Sequence, residues 1–486
     1  MGKNFTIESL EGINLNNFGK GMLFTFFGTY SNFVVQLIVN MILSRLLTPE
    51  DYGVVAIMQV FIIFFQLMVE SGMGPAIIQN KRLSEKDINV IFNYSFVLAM
   101  GMAILFGFFG QFLAYAYGDD IYIKLTWVQA ISVFFNGLNV VPTAVLLKQL
   151  RFKIVNVNLI IANFCSAIVG ISFSFLGFGV YALIYSVITS AMVNLTLNFF
   201  YSKISFSSNW NVQPIKKIFH FSKNQFGFNF INYFSRNSDN ILIGKFIGAS
   251  ALANYNKAYQ LLMLPNQMFL NVINPVMQPV LSEYQDDVIY IRNFYFKIIK
   301  ILATIGLPLS IFLSLSSEQI IMIMFGSQWN SAVLPFSYLA LTVWCQMTIS
   351  TTGAIFQARN QTRLLFFTGL VSAINLVSFI LIGTFMGSVN NVAVCLSIGF
   401  LLGFFWNFYQ LIVRSLEYSL FKFLSLFKSG IFLAVVMFVC LKLEELFDPS
   451  NYIYSFALKA SVFMIVMSVY LYSTNEKQEI LDLLRR

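Results

Sequence analysis

The chain has 486 residues, 58% of them hydrophobic and only 10% charged, with a mean hydropathy of +0.74. Soluble domains are about a quarter charged, so a soluble enzyme or a nucleic-acid-binding module is excluded. The net charge of +9 reads as membrane topology, because the lysines and arginines sit in short loops between apolar runs. Cys165, Cys345, Cys395 and Cys440 stand singly, without metal spacing, and the single histidine, His220, excludes a histidine-rich metal site. No cofactor is expected.

The first twenty residues are polar and lack the apolar core of a signal peptide. Residues 1–20 are therefore expected to be a cytoplasmic segment. Fourteen apolar runs follow, each long enough for the ~20 residues a helix needs to cross a bilayer. An N-lobe is expected over 21–201, with helices at about 21–43, 53–77, 88–117, 121–147, 154–176 and 179–201. A polar loop, 202–218, divides it from a C-lobe over 219–413, with helices at about 219–245, 250–280, 293–315, 330–356, 364–386 and 389–413. Two further helices occupy 414–473, at about 421–441 and 452–473, and 474–486 is a cytoplasmic tail. The fold class is all-α integral membrane, two pseudo-symmetric six-helix lobes plus two C-terminal helices.

The division into halves rests on a repeat. Gln225, Asn229, Asn232, Arg236 and Asn240 follow one another at steps of four, three, four and four, on one helix face. Subtracting 200 gives Thr25, Thr29, Asn32, Gln36 and Asn40, polar at all five positions. The match extends to Arg45 against Lys245 and to Pro75 against Pro275. Unpaired polar groups in hydrocarbon cost several kcal/mol, so both stripes should face protein or a water-filled cavity. A long internal repeat of this kind marks a transporter whose site lies where its halves meet.

Positive residues alternate with the spans. Lys81, Arg82, Lys86; Lys148, Arg151, Lys153; Lys203, Lys216, Lys217; Arg292, Lys297; Arg359, Arg363; and Arg414, Lys422, Lys428 all fall on one side. That side is the cytoplasm by the positive-inside rule, which puts both termini there.

Charges within spans are costly and select candidate functional residues. Arg236 lies deep in its helix, with Asp239 at i+3. The pair is either a structural ion pair or a cavity cation for an anionic substrate, oriented by Asp239. Lys257 is a second candidate cation, the alternative being a side chain that snorkels to the surface. Glu70 is a candidate for ion coupling, or else a cap. Arg45 and Lys245 are placed at the outer mouth. Pro142 and Pro265 lie inside spans, where they permit bends. Asp119-Asp120 reads as a solvated loop. No nucleotide-binding, nucleophile-elbow or zinc motif occurs.

Three stretches carry a resemblance: Leu43–Phe92 (LSRLLTPEDYGVVAIMQVF…), Val141–Lys153 (VPTAVLLKQLRFK) and Asn232–Pro265 (NYFSRNSDNILIGKFIGASALANYNKAYQLLMLP). They resemble the Wzx-type polysaccharide flippases, in the branch serving colanic acid and teichuronic acid synthesis, within the multidrug/oligosaccharidyl-lipid/polysaccharide exporter superfamily. The resemblance implies two six-helix lobes around a central cavity, like those of MATE exporters and MurJ. It implies alternating access that carries a polyprenyl-pyrophosphate-linked oligosaccharide from the inner to the outer leaflet of a bacterial cytoplasmic membrane. Membrane lipids, an H+ or Na+ gradient, and a glycan polymerase with its chain-length regulator are the implied partners. Arg236 matches the cationic character of such cavities. The chain departs in having few cavity cations overall, so the amides of Asn32, Gln36, Asn229 and Asn232 are candidates for meeting sugar hydroxyls. The rival functions are a MATE-type small-molecule exporter and a membrane glycan polymerase or ligase. The first is expected to need an acidic cation site, and the second a long catalytic outer loop that the sequence lacks. Enzyme activity is not expected.

Overall fold

The computed structural model describes residues 33–70, 73–80, 83–208, 210–216, 233, 237–445 and 451–474. Arg236, Asn32, Asn229, Asn232 and His220 lie outside the described residues, as do residues 1–20 and most of the expected tail. Every described regular element is helical. The chain divides into two compact units, Met1–Asn237 and Ser238–Arg486.

The first unit holds α1 (Phe33–Leu46), α2 (Pro49–Glu70), α3 (Met73–Gln79), α4 (Glu85–Tyr117), α5 (Ile121–Lys148), α6 (Phe152–Phe175) and α7 (Val180–Ser202). Local sequence sets these limits. Ser84 and Asp87 form a reciprocal capping box at the start of α4, and Gly118 ends it in the left-handed conformation, φ 74°. Asp119 lies in the exposed turn that follows and accepts from the Ile121 amide at 2.9 Å. α5 runs unbroken through Pro142 and packs on α4 and α7.

The loop after α7 lies along the first unit. Asn89 and Asn93, one turn apart on α4, grip it. Asn93 Nδ2 donates to the Ser207 carbonyl at 2.6 Å while its Oδ1 accepts from the Ser207 amide at 3.1 Å. Asn89 makes the same two-way exchange with the Ser205 amide and hydroxyl. Ile204 and Ile215 join the core formed by Ile88, Phe92, Leu138 and Val145.

The second unit begins with α8 (237–246) and α9 (Ala249–Ser282), followed by α10 (Val288–Leu315) and α11 (Ser317–Met324). The expected single span over 330–356 is instead a run of short pieces. A tight turn at Ser327–Ala332 leads to α12 (Val333–Ala340), α13 (Val343–Ile349) and α14 (Thr352–Ala358), with a 52° bend. The hydroxyls of Thr342, Thr348, Thr351 and Thr352 each bond back to carbonyls three or four residues earlier, and two of them sit at the breaks. α15 (Thr362–Phe385), α16 (Val389–Phe408), α17 (Leu420–Leu424), α18 (Lys428–Glu444) and α19 (Tyr452–Ser473) complete the unit. α16 continues into a wider turn, Tyr409–Ser415. α18 seats on α10 through Gly430, where a Cβ would lie 2.5 Å from the Ala303 carbonyl.

Among the described residues, ten helices are long and apolar enough to cross a membrane, eleven if the bent pair is one span. α9 is longer than a span needs but too polar for that count, and α1 is only partly described. The chain is a multi-pass, all-α membrane protein. Cations in the positively charged loops donate to carbonyls of neighbouring segments: Lys148 to Asn80 just past α3, Arg151 to Tyr201 at the end of α7, and Arg359 to Gln285 in the turn after α9.

Candidate functional site

The repeat read from the sequence reappears in the backbone. α1 ends at Leu46 and α8 at residue 246; α2 begins at Pro49 and α9 at Ala249. The Leu47 amide bonds the Leu43 carbonyl at 3.0 Å, and the Ile247 amide bonds Ile243 at 2.9 Å. Tyr52 to Thr48 is matched by Leu252 to Gly248. Leu43 and Ile243 are both buried.

The turns reach this shared path differently. Thr48 and Asp51 exchange hydrogen bonds ahead of α2. Ahead of α9, Gly248 takes φ 115°, a conformation open to glycine.

The candidate site is the α8–α9 hairpin and the residues packed on it. Asp239 is 9% exposed, and its Oδ2 accepts the Tyr255 hydroxyl at 2.8 Å. Its Oδ1 accepts the Asn240 amide, also at 2.8 Å. Tyr255 is wholly buried. Two residues on, Lys257 is 2% exposed, and its ammonium lies 4.7 Å from the ring centre of Phe325 and 5.0 Å from that of Trp329. Both rings are buried, at the end of α11 and in the turn after it. A desolvated cation over an aromatic face gains about 2 kcal/mol.

Arg45 and Lys245 are both exposed, one residue before the ends of α1 and α8. Gln36 is exposed on α1, while Asn40 accepts from the Ser44 hydroxyl at 3.0 Å. Glu70 is half-buried at the end of α2. Tyr233 donates its hydroxyl to the Val60 carbonyl within the first unit. The structure brings Asp239 together with Tyr255, a residue the sequence reading had not singled out. It sets Lys257 against the aromatic pair.

Two further polar clusters escaped the sequence reading. In the first unit, Asn198 on α7 accepts from Asn158 at 2.8 Å and donates toward Asn139, Thr143 and Asn194, each at 3.1 Å. Asn158 and Asn198 are buried, so neutral amides join α5, α6 and α7. In the second unit, Lys459 on α19 is 3% exposed and donates to the Leu315 carbonyl at the end of α10, 2.7 Å away. A lysine eight residues into the last span was the available signal.

Solved membrane transporters share this helical fold. A structure of the lipid II flippase MurJ matches with a TM-score of 0.72 over 93% of this chain and 99% of that one, at 16% identity. An inward-facing multidrug MATE transporter matches with a TM-score of 0.60, over 79% and 95%, at 15% identity. A family model described as "Polysaccharide biosynthesis protein" matches residues 42–334, and the chain belongs to that family. It is 23% identical to the teichuronic acid biosynthesis protein TuaB of Bacillus subtilis, over 71% of this chain and 72% of the relative. It is 22% identical to the succinoglycan biosynthesis transport protein ExoT of Rhizobium meliloti, over 75% and 74%. It is 21% identical to the lipopolysaccharide biosynthesis protein WzxC of Escherichia coli, over 75% and 74%.

Proposed function

We propose that the protein is a flippase that moves polyprenyl-pyrophosphate-linked oligosaccharide repeat units from the inner to the outer leaflet of a bacterial cytoplasmic membrane. The observation that carries this reading is that the family match, 42–334, takes in the end of α1, its turn and α2 in the first copy and the whole of α8 and α9 in the second. The family's polysaccharide role thus extends over parts of both copies of the repeat. Relatives named for teichuronic acid, succinoglycan and lipopolysaccharide synthesis, and a fold like that of a lipid II flippase, support the same substrate class.

A large hydrophilic headgroup cannot cross ~30 Å of hydrocarbon unaided. Alternating access shields it and exposes it to each side in turn, while the lipid tail stays in the bilayer. Arg236 is the proposed cation for the pyrophosphate, with Asp239 orienting it. The amides of Asn32, Gln36, Asn229 and Asn232 meet sugar hydroxyls. Lys257 adds buried positive charge on the α8–α9 hairpin, Glu70 serves an H+ or Na+ gradient, and Arg45 and Lys245 stand at the outer mouth. Both termini are cytoplasmic, because the loops rich in Lys and Arg then face inward. The product feeds a glycan polymerase working with a chain-length regulator.

The test is complementation of a flippase-deletion strain that retains the native glycan pathway, with Arg236→Ala and Arg236→Lys at matched membrane abundance. Surface glycan and trapped lipid-linked oligosaccharide are read together. Ala is expected to abolish export and accumulate lipid-linked units, while Lys retains part. Normal export by the Ala variant would remove Arg236 from the site. Wild-type protein that leaves lipid-linked units trapped would sink the flippase reading.

A further inference from the structure

Among the apolar residues of the first hairpin that become polar at the 200-residue offset, Val39, Val55 and Ile57 stand opposite a carboxylate, a phenol and an ammonium. Val39 and Val55 pack around Leu43, Leu47 and Leu183. Their counterparts are Asp239 and Tyr255, which hydrogen-bond to each other. Ile57, 2% exposed, is a plain core residue, and its counterpart is Lys257. The helix ends coincide in both copies, and two backbone hydrogen bonds around the turn match, although the Gly248 amide bonds the Ile243 carbonyl where the Thr48 amide bonds Asp51.

The first hairpin therefore shows that this path closes with apolar side chains at all three places. A carboxylate, a phenol and an ammonium are costlier to bury than Val, Val and Ile. Folding alone does not account for them.

We infer that Asp239, Tyr255 and Lys257 serve translocation rather than folding, and that Tyr255 is the positioning residue of the set. This deepens the flippase reading and rests on it. Tyr255 is wholly buried, so it acts through Asp239 and touches no substrate. An ionised carboxylate has about four acceptor sites. The Tyr255 hydroxyl and the Asn240 amide take one on each oxygen. The phenol thus holds the carboxylate in one orientation, ready to accept from a cation or hydrogen-bond donor that arrives during the cycle.

The test uses the full chain and removes polarity at nearly constant volume, which keeps cavities from confusing the result. The triple variant Asp239→Leu, Tyr255→Phe, Lys257→Met is compared with wild type for membrane abundance, thermal unfolding in detergent, and export in the complementation strain. The expected result is a folded protein of wild-type abundance with export lost. Export within about twofold of wild type, or a protein that no longer folds, would each overturn the inference.

A cycle then isolates Tyr255. Tyr255→Phe alone should lower export about tenfold, the weight of one hydrogen bond to a charged group. In an Asp239→Leu background it should lower it no further. Equal effects in both backgrounds would mean that Tyr255 acts by packing and not through Asp239. If wild type translocates nothing, the flippase reading falls and this inference with it. If wild type exports and the triple variant exports equally, only the inference falls.

Discussion

The two units hold their helices together with different chemistry. In the first, the buried polar side chains among the described residues are neutral: the amides of Asn139, Asn158 and Asn198 link α5, α6 and α7, and the repeated hairpin is packed with Val39, Val55 and Ile57. The second also buries neutral groups such as Asn254, Thr304 and Gln410, but adds ionisable ones: Asp239, Lys257, Glu444 and Lys459 are each 9% exposed or less. Amide pairs between membrane helices contribute about 0.6 kcal/mol each on average, enough to fix register. Buried charges are expensive, and a structure that can be built without them keeps them for another purpose. The comparison teaches that the hairpin's register follows apolar pattern and helix ends, common to both copies, while charge has been added to one.

Moving charge into the dry copy is the harshest way to break this contrast. Ile57→Lys would bury an ammonium in the first unit without the ring pair that receives Lys257. We expect a loss of about 3–5 kcal/mol, the cost of an uncompensated buried charge, read as a collapse of membrane abundance and of the unfolding temperature in detergent. A tolerated Ile57→Lys would show that the first unit can house charge as well as the second, and the contrast would fail.

Asn198→Ala comes next. It removes the centre of the amide cluster and strands Asn158 and Asn139. The expected cost is about 1–3 kcal/mol, again in detergent unfolding, with export per folded molecule unchanged if the cluster is structural. Loss of export at normal stability would move the cluster into the transport machinery.

Ser44→Gly is the mildest. It gives the first hairpin the residue of the second, Gly244, and deletes the hydroxyl that donates to Asn40 at 3.0 Å and lies 3.4 Å from the Tyr52 hydroxyl. A change of about 1 kcal/mol or less is expected. A larger loss would mean that the two turns are not equivalent despite their shared backbone.

The sequence made the repeat legible because an offset of 200 superimposes side-chain polarity, and polarity follows backbone register in a helix. It placed the end of α4 correctly at 117, where Gly118 stops the helix, but began it at 88, three residues after the start at Glu85 that the Ser84 capping box sets. It missed the breaks within 330–356, where apolar content is high enough for a span but threonine hydroxyls draw carbonyls out of the helical ladder. The pairing of Asp239 with Tyr255 was hidden because the two are sixteen residues apart, across a turn. Depth was hidden as well. Periodicity places Lys257 on a helix, but only tertiary packing puts Phe325 and Trp329 over its ammonium. The grip of Asn89 and Asn93 on the loop after α7 was out of reach for the same reason, since 114 and 116 residues separate the partners.

The most direct measurement is leaflet exchange by the purified chain in liposomes. Lipid-linked oligosaccharide is placed in one leaflet, and a membrane-impermeant glycosidase reports headgroups that reach the other. The account predicts that wild-type protein accelerates exposure well above protein-free liposomes, and that the Asp239→Leu, Tyr255→Phe, Lys257→Met variant does not. Exposure by wild type at the protein-free rate, with an ion gradient of either sign imposed, would contradict it.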